Sequence, residues 1–163
     1  MAYIDYLQEK FVPANDMPVR GQLKDPVGIA FHWTGTKDLN QAVNTNKSGE
    51  QFGYQYLIDK DGTIRQNVPE GSATWHILPS KDTKYHNANM FGISMVGQDD
   101  KNATPEQLEA AKQLSTYLKK RYDLKEENYL GHGQLNPGHR QAAEGMRTIN
   151  YVLGKNEGND IQQ

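Results

Sequence analysis

The stretch VGIAFHW, residues 27–33, decides the fold because it is a short and almost unbroken apolar run. It follows Pro26 and precedes TGT, a sequence that favours a loop. A run of this length between turn signals is typical of a buried strand in the middle of a sheet. His32 stands near the end of the run. Side chains at strand ends converge on the rim of a sheet, where binding sites often form.

Three more segments predict strands of the same sheet. The segment FGYQYLID, residues 52–59, alternates aromatic and other residues with the period of two that a strand requires. An Asp-Gly pair at residues 61–62 then provides a tight turn into TIRQNV, so we predict a hairpin. FGISMVG, residues 91–97, is another short apolar strand, and ENYLGH, residues 127–132, leaves room for a brief strand that ends at a histidine.

The clearest helix begins after Thr104, which is a predicted N-cap. Pro105 suits the first helical position, and Gln107 completes a capping box with Thr104. The apolar face that follows has the spacing of a helix: Leu108, Ala111, Leu114, Leu118 and Tyr122. Shorter helices are predicted for residues 38–44 and 146–153. Strands mixed with helices predict an α/β fold in which a single mixed central β-sheet is flanked by helices.

The composition is that of an ordinary folded domain of 163 residues, with 36% hydrophobic and 23% charged residues. A net charge of −2 gives no reason to expect a nucleic acid as partner. The chain has no cysteine, which excludes disulfides, thiolate zinc ligands and cysteine nucleophiles together. No segment approaches the roughly 20 apolar residues of a membrane helix, so we expect no membrane insertion.

Both ends of the sequence lead to expectations about organisation. MAYIDYLQEKF at the start carries acidic residues early and lacks the apolar segment of a secretory signal peptide, so we predict no signal peptide. The sequence GKNEGNDIQQ at the end is polar and contains glycine. We therefore predict one domain over residues 1–154 and a polar tail, or the start of a linker, over residues 155–163.

Two of the five histidines have a context that favours metal binding. His32 ends one predicted strand, and His132 ends another and opens the loop GHGQLNPGHRQAAEGM, residues 131–146. Imidazole nitrogen binds zinc at about 2.0–2.1 Å, and a catalytic zinc commonly has three protein ligands and a water. Because the chain has no cysteine, the third ligand of such a site must be a carboxylate or another histidine.

The motifs FHWTGT, GYQYLIDKDGTIRQ, ATWH, NMFGISMVG and YLGHGQLNPGHR occur in this order along the chain. In their order and content they resemble the zinc-dependent N-acetylmuramoyl-L-alanine amidases of type 2, over about residues 12–153. That family includes phage lysozyme-like amidases and the peptidoglycan-recognition proteins. The resemblance implies a peptidoglycan-recognition or type 2 amidase-like fold, one zinc ion (Zn2+) and bacterial peptidoglycan as the substrate.

The resemblance also implies roles for single residues. His32 and His132 match the first two zinc ligands of the family. Tyr54 matches a tyrosine that lies beside the zinc-bound water in many members, although a place in the aromatic core is its alternative. Gln55 replaces a histidine of many relatives, and by alternation we expect it to point to the sheet face opposite to Tyr54. Ser94 replaces a glutamate of the family's Gly-Ile-Glu strand.

The third zinc ligand departs from the family pattern. Relatives have a Cys or Asp in the loop after the second histidine, usually with a Lys two positions before it, and the corresponding places here hold Ala142 and Arg140. Glu144, followed by a glycine, resembles the Asp-Pro-Gly ending of the family if the loop is two residues longer, so we favour Glu144 as the third ligand. His139 is the alternative ligand. As a second explanation, Glu144 has no metal-binding role, and its carboxylate only interacts favourably with the positive dipole end at the start of the last helix.

Other residues are predicted to contact the substrate. Arg140 would be catalytic, because a fixed positive charge stabilises an oxyanion. An arginine cannot donate a proton at neutral pH as a lysine can, so His139 is a candidate for that role and for substrate binding. The resemblance assigns Trp75, His76 and Asn89 to the substrate groove, with the Trp75 ring as an apolar wall and His76 as a polar tip. Ordinary packing is the alternative for Trp75.

The implied activity is hydrolysis of the amide bond between N-acetylmuramic acid and the L-alanine of the stem peptide. The expected lack of a signal peptide favours a phage endolysin or virion-associated enzyme. Such an enzyme is made in the host cytoplasm and acts on the cell wall after release, or works outside the cell, and a wall-binding domain could be appended to it. The alternatives are a non-catalytic peptidoglycan-binding module, a metal hydrolase with another substrate, and a cytoplasmic amidase that recycles anhydro-muropeptides.

Overall fold

The computed structural model describes residues 3–47, 53–79 and 84–155, which include a mixed sheet of six strands with helices packed against it. The predicted α/β fold with a single mixed central sheet is confirmed. The strands are β1 (Phe11–Pro13), β2 (Gly28–Trp33), β3 (Tyr56–Ile58), β4 (Ile64–Gln66), β5 (Met90–Met95) and β6 (Tyr129–Gly131). The helices are α1 (Tyr3–Lys10), α2 (Leu39–Lys47), α3 (Pro105–Tyr122), α4 (His132–Leu135) and α5 (Met146–Val152), and a 3₁₀ turn spans Glu126–Asn128.

Strand β2 is the centre of the sheet region that carries the site. All of its residues are buried, and it pairs in parallel with β5 on one side and with β6 on the other. Strand β3 pairs in parallel with β5 and forms the predicted antiparallel hairpin with β4. The order across the sheet is β1-β4-β3-β5-β2-β6. Because β2 and β6 are parallel neighbours, their carboxyl ends bring His32 and His132 to the same end of the sheet.

The two faces of the sheet are covered differently. Ile29, Phe31 and Ile93 point into the main hydrophobic core, where helices α1, α3 and α5 pack against the sheet. By alternation His32 points to the opposite face, which it shares with Ala30. The histidine therefore lies on the face that the long helix α3 leaves free for other elements.

Helix α3 begins with the predicted capping box. Thr104 Oγ1 accepts from the Gln107 N–H, and the side-chain oxygen of Gln107 accepts from the Thr104 N–H, both at 3.0 Å. Gln107 is buried, and its side-chain nitrogen donates to the carbonyl oxygens of Ile58 and Val96 at 3.0 Å. One side chain therefore starts the helix and also attaches it to the ends of β3 and β5.

Several predicted element boundaries are wrong. Strand β3 covers only Tyr56–Ile58 because the chain bends at Gln55, so strict alternation does not extend back to Tyr54. Strand β6 ends at Gly131, and His132 is the first residue of helix α4 rather than the end of a strand. Helix α1 and strand β1, which are short elements at the edge of the fold, were not predicted from the sequence.

Parts of two predictions lie outside the described residues. The predicted strand began at residue 52, and of the predicted tail over residues 155–163 only residue 155 is described. The division into a domain over residues 1–154 and a tail therefore stays a prediction.

Replacing Gln107 by alanine should lower the free energy of unfolding by about 2–4 kcal/mol, because it removes half of the capping box and two hydrogen bonds to buried carbonyls. Thr104→Ala, which removes the other half of the box, should cost about 1 kcal/mol. Denaturant-induced unfolding measures both values. Gln113→Ala is the matched control on the same helix, because the Gln113 side chain donates to half-buried Glu109 one turn away on that helix. Equal losses for Gln107→Ala and Gln113→Ala would contradict the anchoring role.

Candidate metal centre

His32 is fully buried in β2 and forms a hydrogen bond with a second buried histidine. Its Nε2 lies 3.0 Å from Nδ1 of His76, and Nε2 of His76 lies 3.0 Å from the Met90 carbonyl oxygen. Because a carbonyl oxygen only accepts, Nε2 of His76 carries a hydrogen. In a neutral ring Nδ1 of His76 is then unprotonated. His76 Nδ1 therefore accepts from His32 Nε2–H. This series of hydrogen bonds leaves Nδ1 of His32 with a free lone pair.

His132 reaches the same state through a different partner. It is buried at the start of α4, and its Nε2 lies 2.9 Å from Oδ1 of Asn136, one helical turn later. The Leu78 backbone orients the Asn136 amide, because Asn136 Oδ1 accepts from the Leu78 N–H and Asn136 Nδ2 donates to the Leu78 carbonyl. Oδ1 must therefore accept from His132 Nε2–H as well. In a neutral ring Nδ1 of His132 is then unprotonated.

Glu144 is the carboxylate that meets these two nitrogens. It is buried, and its Oε2 lies 3.2 Å from Nδ1 of His132 and 3.7 Å from Nδ1 of His32. Gly145, directly after it, has a φ of 88°, and a Cβ there would lie 2.4 Å from the Phe31 carbonyl oxygen. Glycine at this position lets the loop approach β2 closely enough to bring the carboxylate to the histidines.

These three side chains bring three acceptor atoms together, and the Trp33 backbone N–H donates to Glu144 Oε2 at 3.4 Å. Nδ1 of His32 and Nδ1 of His132 are 3.0 Å apart, and the ligand atoms of the group all lie within 4.8 Å of one another. Two bare nitrogens and a carboxylate oxygen at this spacing repel one another unless a cation lies among them. Glu144 Oε1 is also buried without a hydrogen-bond partner in the described part of the chain. The donor set therefore fits a metal ion.

The separations within the group agree with the size of a zinc site. Ligand atoms about 2 Å from one tetrahedral zinc ion lie roughly 3.3 Å from each other. The distances of 3.0, 3.2 and 3.7 Å among Nδ1 of His32, Nδ1 of His132 and Oε2 of Glu144 scatter around this value. Two imidazoles and a glutamate are a known catalytic zinc set.

Burial and mutual contact set the charges in the group. Burial lowers the pKa of His32 to about 3 and lowers the pKa of His76 well below its usual value, so both rings are neutral at neutral pH. Burial alone would raise the pKa of Glu144, but the contacts of its carboxylate with His132 and His32 outweigh burial and lower the pKa to about 2. An ionised carboxylate and neutral imidazole are the states that metal binding requires.

Tyr54 and Arg140 are both predicted to be catalytic; Tyr54 packs against His32, and the charge of Arg140 influences the group. Tyr54 is buried, and its ring centre is 4.8 Å from that of His32. Burial, assisted by the charge of Glu144, raises the pKa of Tyr54 above its usual range, so the phenol keeps its proton. Arg140 is half-buried, and its positive charge favours neutral His32 and ionised Tyr54, although burial has the larger effect on each pKa.

The two positions at which the resemblance predicted other residues also pack near the site. Ser94 is buried and lies opposite His32 in the sheet, so a short hydroxyl stands where a glutamate would bring a second carboxylate. Gln55 Oε1 accepts from the Gly92 N–H at 2.7 Å and lies on the face of the sheet that carries His32. The expectation that Gln55 and Tyr54 point to opposite faces is wrong, because the bend at residue 55 ends the alternation.

The structure separates the two candidates for the third ligand. Glu144 is buried against His32 and His132. The His139 side chain, in contrast, is exposed on the loop that connects His132 to Glu144. Among the described residues, His32, His132 and Glu144 are the group of histidine and acidic side chains with metal-binding spacing. His139 therefore stays a prediction as a substrate-binding residue and is not placed as a ligand.

The predicted groove residues lie in three different settings. His76 is fully buried behind His32, so the prediction that it offers a polar tip to the substrate is wrong. The Asn89 side chain bonds to the backbone of its own turn, at residues 84 and 86. Trp75 is 52% exposed, with the guanidinium carbon of Arg20 3.9 Å from its ring centre. A role in substrate binding stays a prediction for Trp75 and Asn89.

Asn136 and the Met90 carbonyl, which orient the side chains around the two histidines, were not predicted from the sequence. Asn136 could have been found, because a residue four positions after His132 lies over it on a helix. The carbonyl oxygen of Met90 leaves no signal in the sequence, because every residue has the same backbone oxygen.

A known family matches this chain. The sequence profile described as N-acetylmuramoyl-L-alanine amidase matches residues 22–148, a range that includes His32, His132 and Glu144. No curated protein matches the chain significantly.

Solved structures share the fold. The N-acetylmuramoyl-L-alanine amidase LysC from Clostridium intestinale URNW has a TM-score of 0.64 and 22% identity, with 90% of this chain and 98% of that chain covered. The Ph2119 endolysin from Thermus scotoductus MAT2119 bacteriophage Ph2119 has a TM-score of 0.61 and 19% identity, with 87% and 98% covered. The Drosophila Peptidoglycan Recognition Protein (PGRP)-SA has a TM-score of 0.55 and 18% identity, with 76% and 77% covered.

Glu144→Ala should weaken zinc binding by more than about a hundredfold, which is the upper end for losing a partner outside the ligand set. Glu144→Gln tests the charge with little change of shape and should also lose affinity. Competition with a chromophoric chelator measures the zinc dissociation constant, and elemental analysis measures the content. His139→Ala and Glu127→Ala, both at exposed positions, are the matched controls. Full zinc affinity in Glu144→Ala, or its loss in His139→Ala, would contradict the assignment.

Proposed function

The chain belongs to the N-acetylmuramoyl-L-alanine amidase family, and on that premise we propose that it is a zinc-dependent hydrolase of bacterial peptidoglycan. The bond to be cleaved is the amide between N-acetylmuramic acid and the L-alanine of the stem peptide. The observation that carries the proposal is the buried group of His32, His132 and Glu144, whose ligand atoms lie within 4.8 Å of one another.

The proposed cofactor is one zinc ion, with Nδ1 of His32, Nδ1 of His132 and the Glu144 carboxylate as its protein ligands. Bound by these three residues, zinc would supply a Lewis acid that polarises an amide carbonyl and activates water for attack. The protein contributes preorganisation of the metal ligands. It holds both lone pairs and the carboxylate in place, so that little rearrangement is needed when the reaction begins.

Tyr54 and Arg140 are proposed to act on the reacting groups. Because burial raises the pKa of Tyr54, its phenol is protonated and orients water or the scissile carbonyl by donating a hydrogen bond, rather than by removing a proton. The positive charge of Arg140 stabilises the negative charge that develops on the carbonyl oxygen. Hydrolysis adds water across the carbon–nitrogen bond and yields the carboxylate of the muramic acid and the free amino group of the stem peptide.

We further propose that the enzyme acts as a phage lysis or virion-associated protein. Its fold likeness to the Ph2119 endolysin, which comes from a bacteriophage, supports this role. Among residues 3–47, 53–79 and 84–155, no helix has the length and apolar character of a membrane span. The protein would be made in the host cytoplasm and reach the wall on release, or work outside the cell, and an appended wall-binding domain is compatible with this role.

A second candidate function is peptidoglycan binding without catalysis. The observation that favours it is Ser94, since a hydroxyl stands opposite His32 where relatives carry a glutamate. The fold likeness to the peptidoglycan recognition protein is consistent with it. A binding module would hold on to purified cell walls and release no stem peptide from them.

The wild-type protein should release soluble stem peptide from purified cell walls, and removal of zinc by a chelator should abolish the release until zinc is added back. His132→Ala should have no measurable activity, whereas His86→Ala, which changes an exposed histidine, should match the wild type. Release is measured as new amino groups on alanine. Firm wall binding by a zinc-loaded protein without any peptide release would support the binding module instead. Activity on soluble anhydro-muropeptides but not on intact walls would support the recycling amidase.

Tyr54→Phe should lower kcat by about a hundredfold, the usual loss for one hydrogen-bond donor aimed at the reacting atoms, while KM changes little. The variant keeps the aromatic ring against His32, so its zinc content should equal that of the wild type. Steady-state hydrolysis of a soluble muramoyl peptide separates kcat from KM. An unchanged kcat would show that Tyr54 is only a packing residue.

A further inference from the structure

The geometry points to His76 as a positioning residue that fixes the tautomer of His32. This inference rests on the proposed function, because it takes His32 to bind zinc through Nδ1. Metal binding requires the hydrogen of His32 to be on Nε2, and Nδ1 of His76 is the acceptor for that hydrogen at 3.0 Å. His76 is fully buried and therefore acts through His32 rather than on the substrate.

The competing tautomer of His32 explains why a fixed acceptor matters. Without an acceptor at Nε2, His32 would leave a buried N–H unpaired, which is unfavourable. The ring can avoid this by carrying its hydrogen on Nδ1, where Nδ1 of His132, 3.0 Å away, would accept it and the negative charge of Glu144 would favour it. That state places a hydrogen where the metal should lie. His76 stabilises the other state before any metal binds.

His76 itself is held firmly. Its Nε2–H donates to the Met90 carbonyl, and its backbone N–H donates at 2.9 Å to the Asn87 side-chain oxygen. The same Asn87 oxygen accepts from the Ile77 N–H, and the Asn87 amide nitrogen donates to the Ile77 carbonyl, both at 2.9 Å. The ring and the backbone that carries it are thus fixed independently, which is what a residue needs to orient another.

Strand β5 leaves room for the His76 ring at one position. A Cβ on Gly92 would lie 2.7 Å from Cγ and 2.9 Å from Nδ1 of His76. These distances are shorter than van der Waals contact, so a side chain at residue 92 would displace the ring from His32. A glycine in the middle of a buried strand usually weakens the strand. Close packing of the His76 ring explains why residue 92 is a glycine.

The inference is tested with two substitutions of His76 and one packing control. His76→Phe fills a similar space without an acceptor, whereas His76→Gln keeps an oxygen that can accept and an amide that can donate. Ile77→Ala removes a buried side chain from the same segment and leaves the His76 ring in place. Zinc dissociation constants are measured by chelator competition on proteins shown to be folded by thermal unfolding.

We expect His76→Phe to bind zinc about tenfold to a hundredfold more weakly than the wild type, the usual loss for an outer partner of a metal ligand. His76→Gln should recover a large part of this loss, and Ile77→Ala should bind zinc as the wild type does. Equal weakening in His76→Phe and Ile77→Ala would show that packing alone is responsible and would overturn the inference.

The tautomer is observed directly in the metal-free protein. Nitrogen-15 shifts of the imidazoles distinguish a bare nitrogen from a protonated one, and in the wild type His32 should carry hydrogen on Nε2. In His76→Phe the hydrogen should move to Nδ1. A wild type with the hydrogen on Nδ1 would overturn the inference even if zinc binds. If the wild type binds no zinc, the proposed function fails, and the nitrogen-15 shifts still decide the role of His76.

Discussion

Three buried acceptors that face one another are the constraint on which the rest of this structure depends. Nδ1 of His32, Nδ1 of His132 and the Glu144 carboxylate lie within a few ångströms of one another. Each of these acceptors is stabilised by a hydrogen-bond donor or a cation. A flexible chain would relax by rotating one ring. Here both rings are prevented from doing so by hydrogen bonds on their far sides. The fold thus maintains a local repulsion that a metal ion relieves.

The architecture supplies this constraint from rigid elements. His32 lies in the central strand β2 and His132 directly follows the neighbouring parallel strand β6, so the sheet fixes the distance between them. The segment around residues 76–78 supports both ligands, because its His76 side chain meets His32 and its Leu78 backbone orients the amide that meets His132. Ligands on strands and helix starts, with oriented partners behind them, are positioned more accurately than ligands on loops alone.

Much of this arrangement could be predicted from sequence, for physical reasons. A short apolar run before His32 determines a buried strand, and the capping box at Thr104 determines where the long helix begins. The bend at Gln55 could not be predicted, because that side chain bonds to the amide of Gly92, which is distant in sequence. The same holds for His76, which sits beside an exposed tryptophan in sequence, and whose buried position depends on space in a distant strand.

The most direct test of the central claim is anomalous diffraction at the zinc edge from crystals of the zinc-loaded protein. We expect one anomalous peak among His32, His132 and Glu144, with both imidazoles bound through Nδ1 and with Nε2 of His32 still facing His76. A peak bound by His139, coordination through Nε2 of either histidine, or no peak at this site would contradict the account.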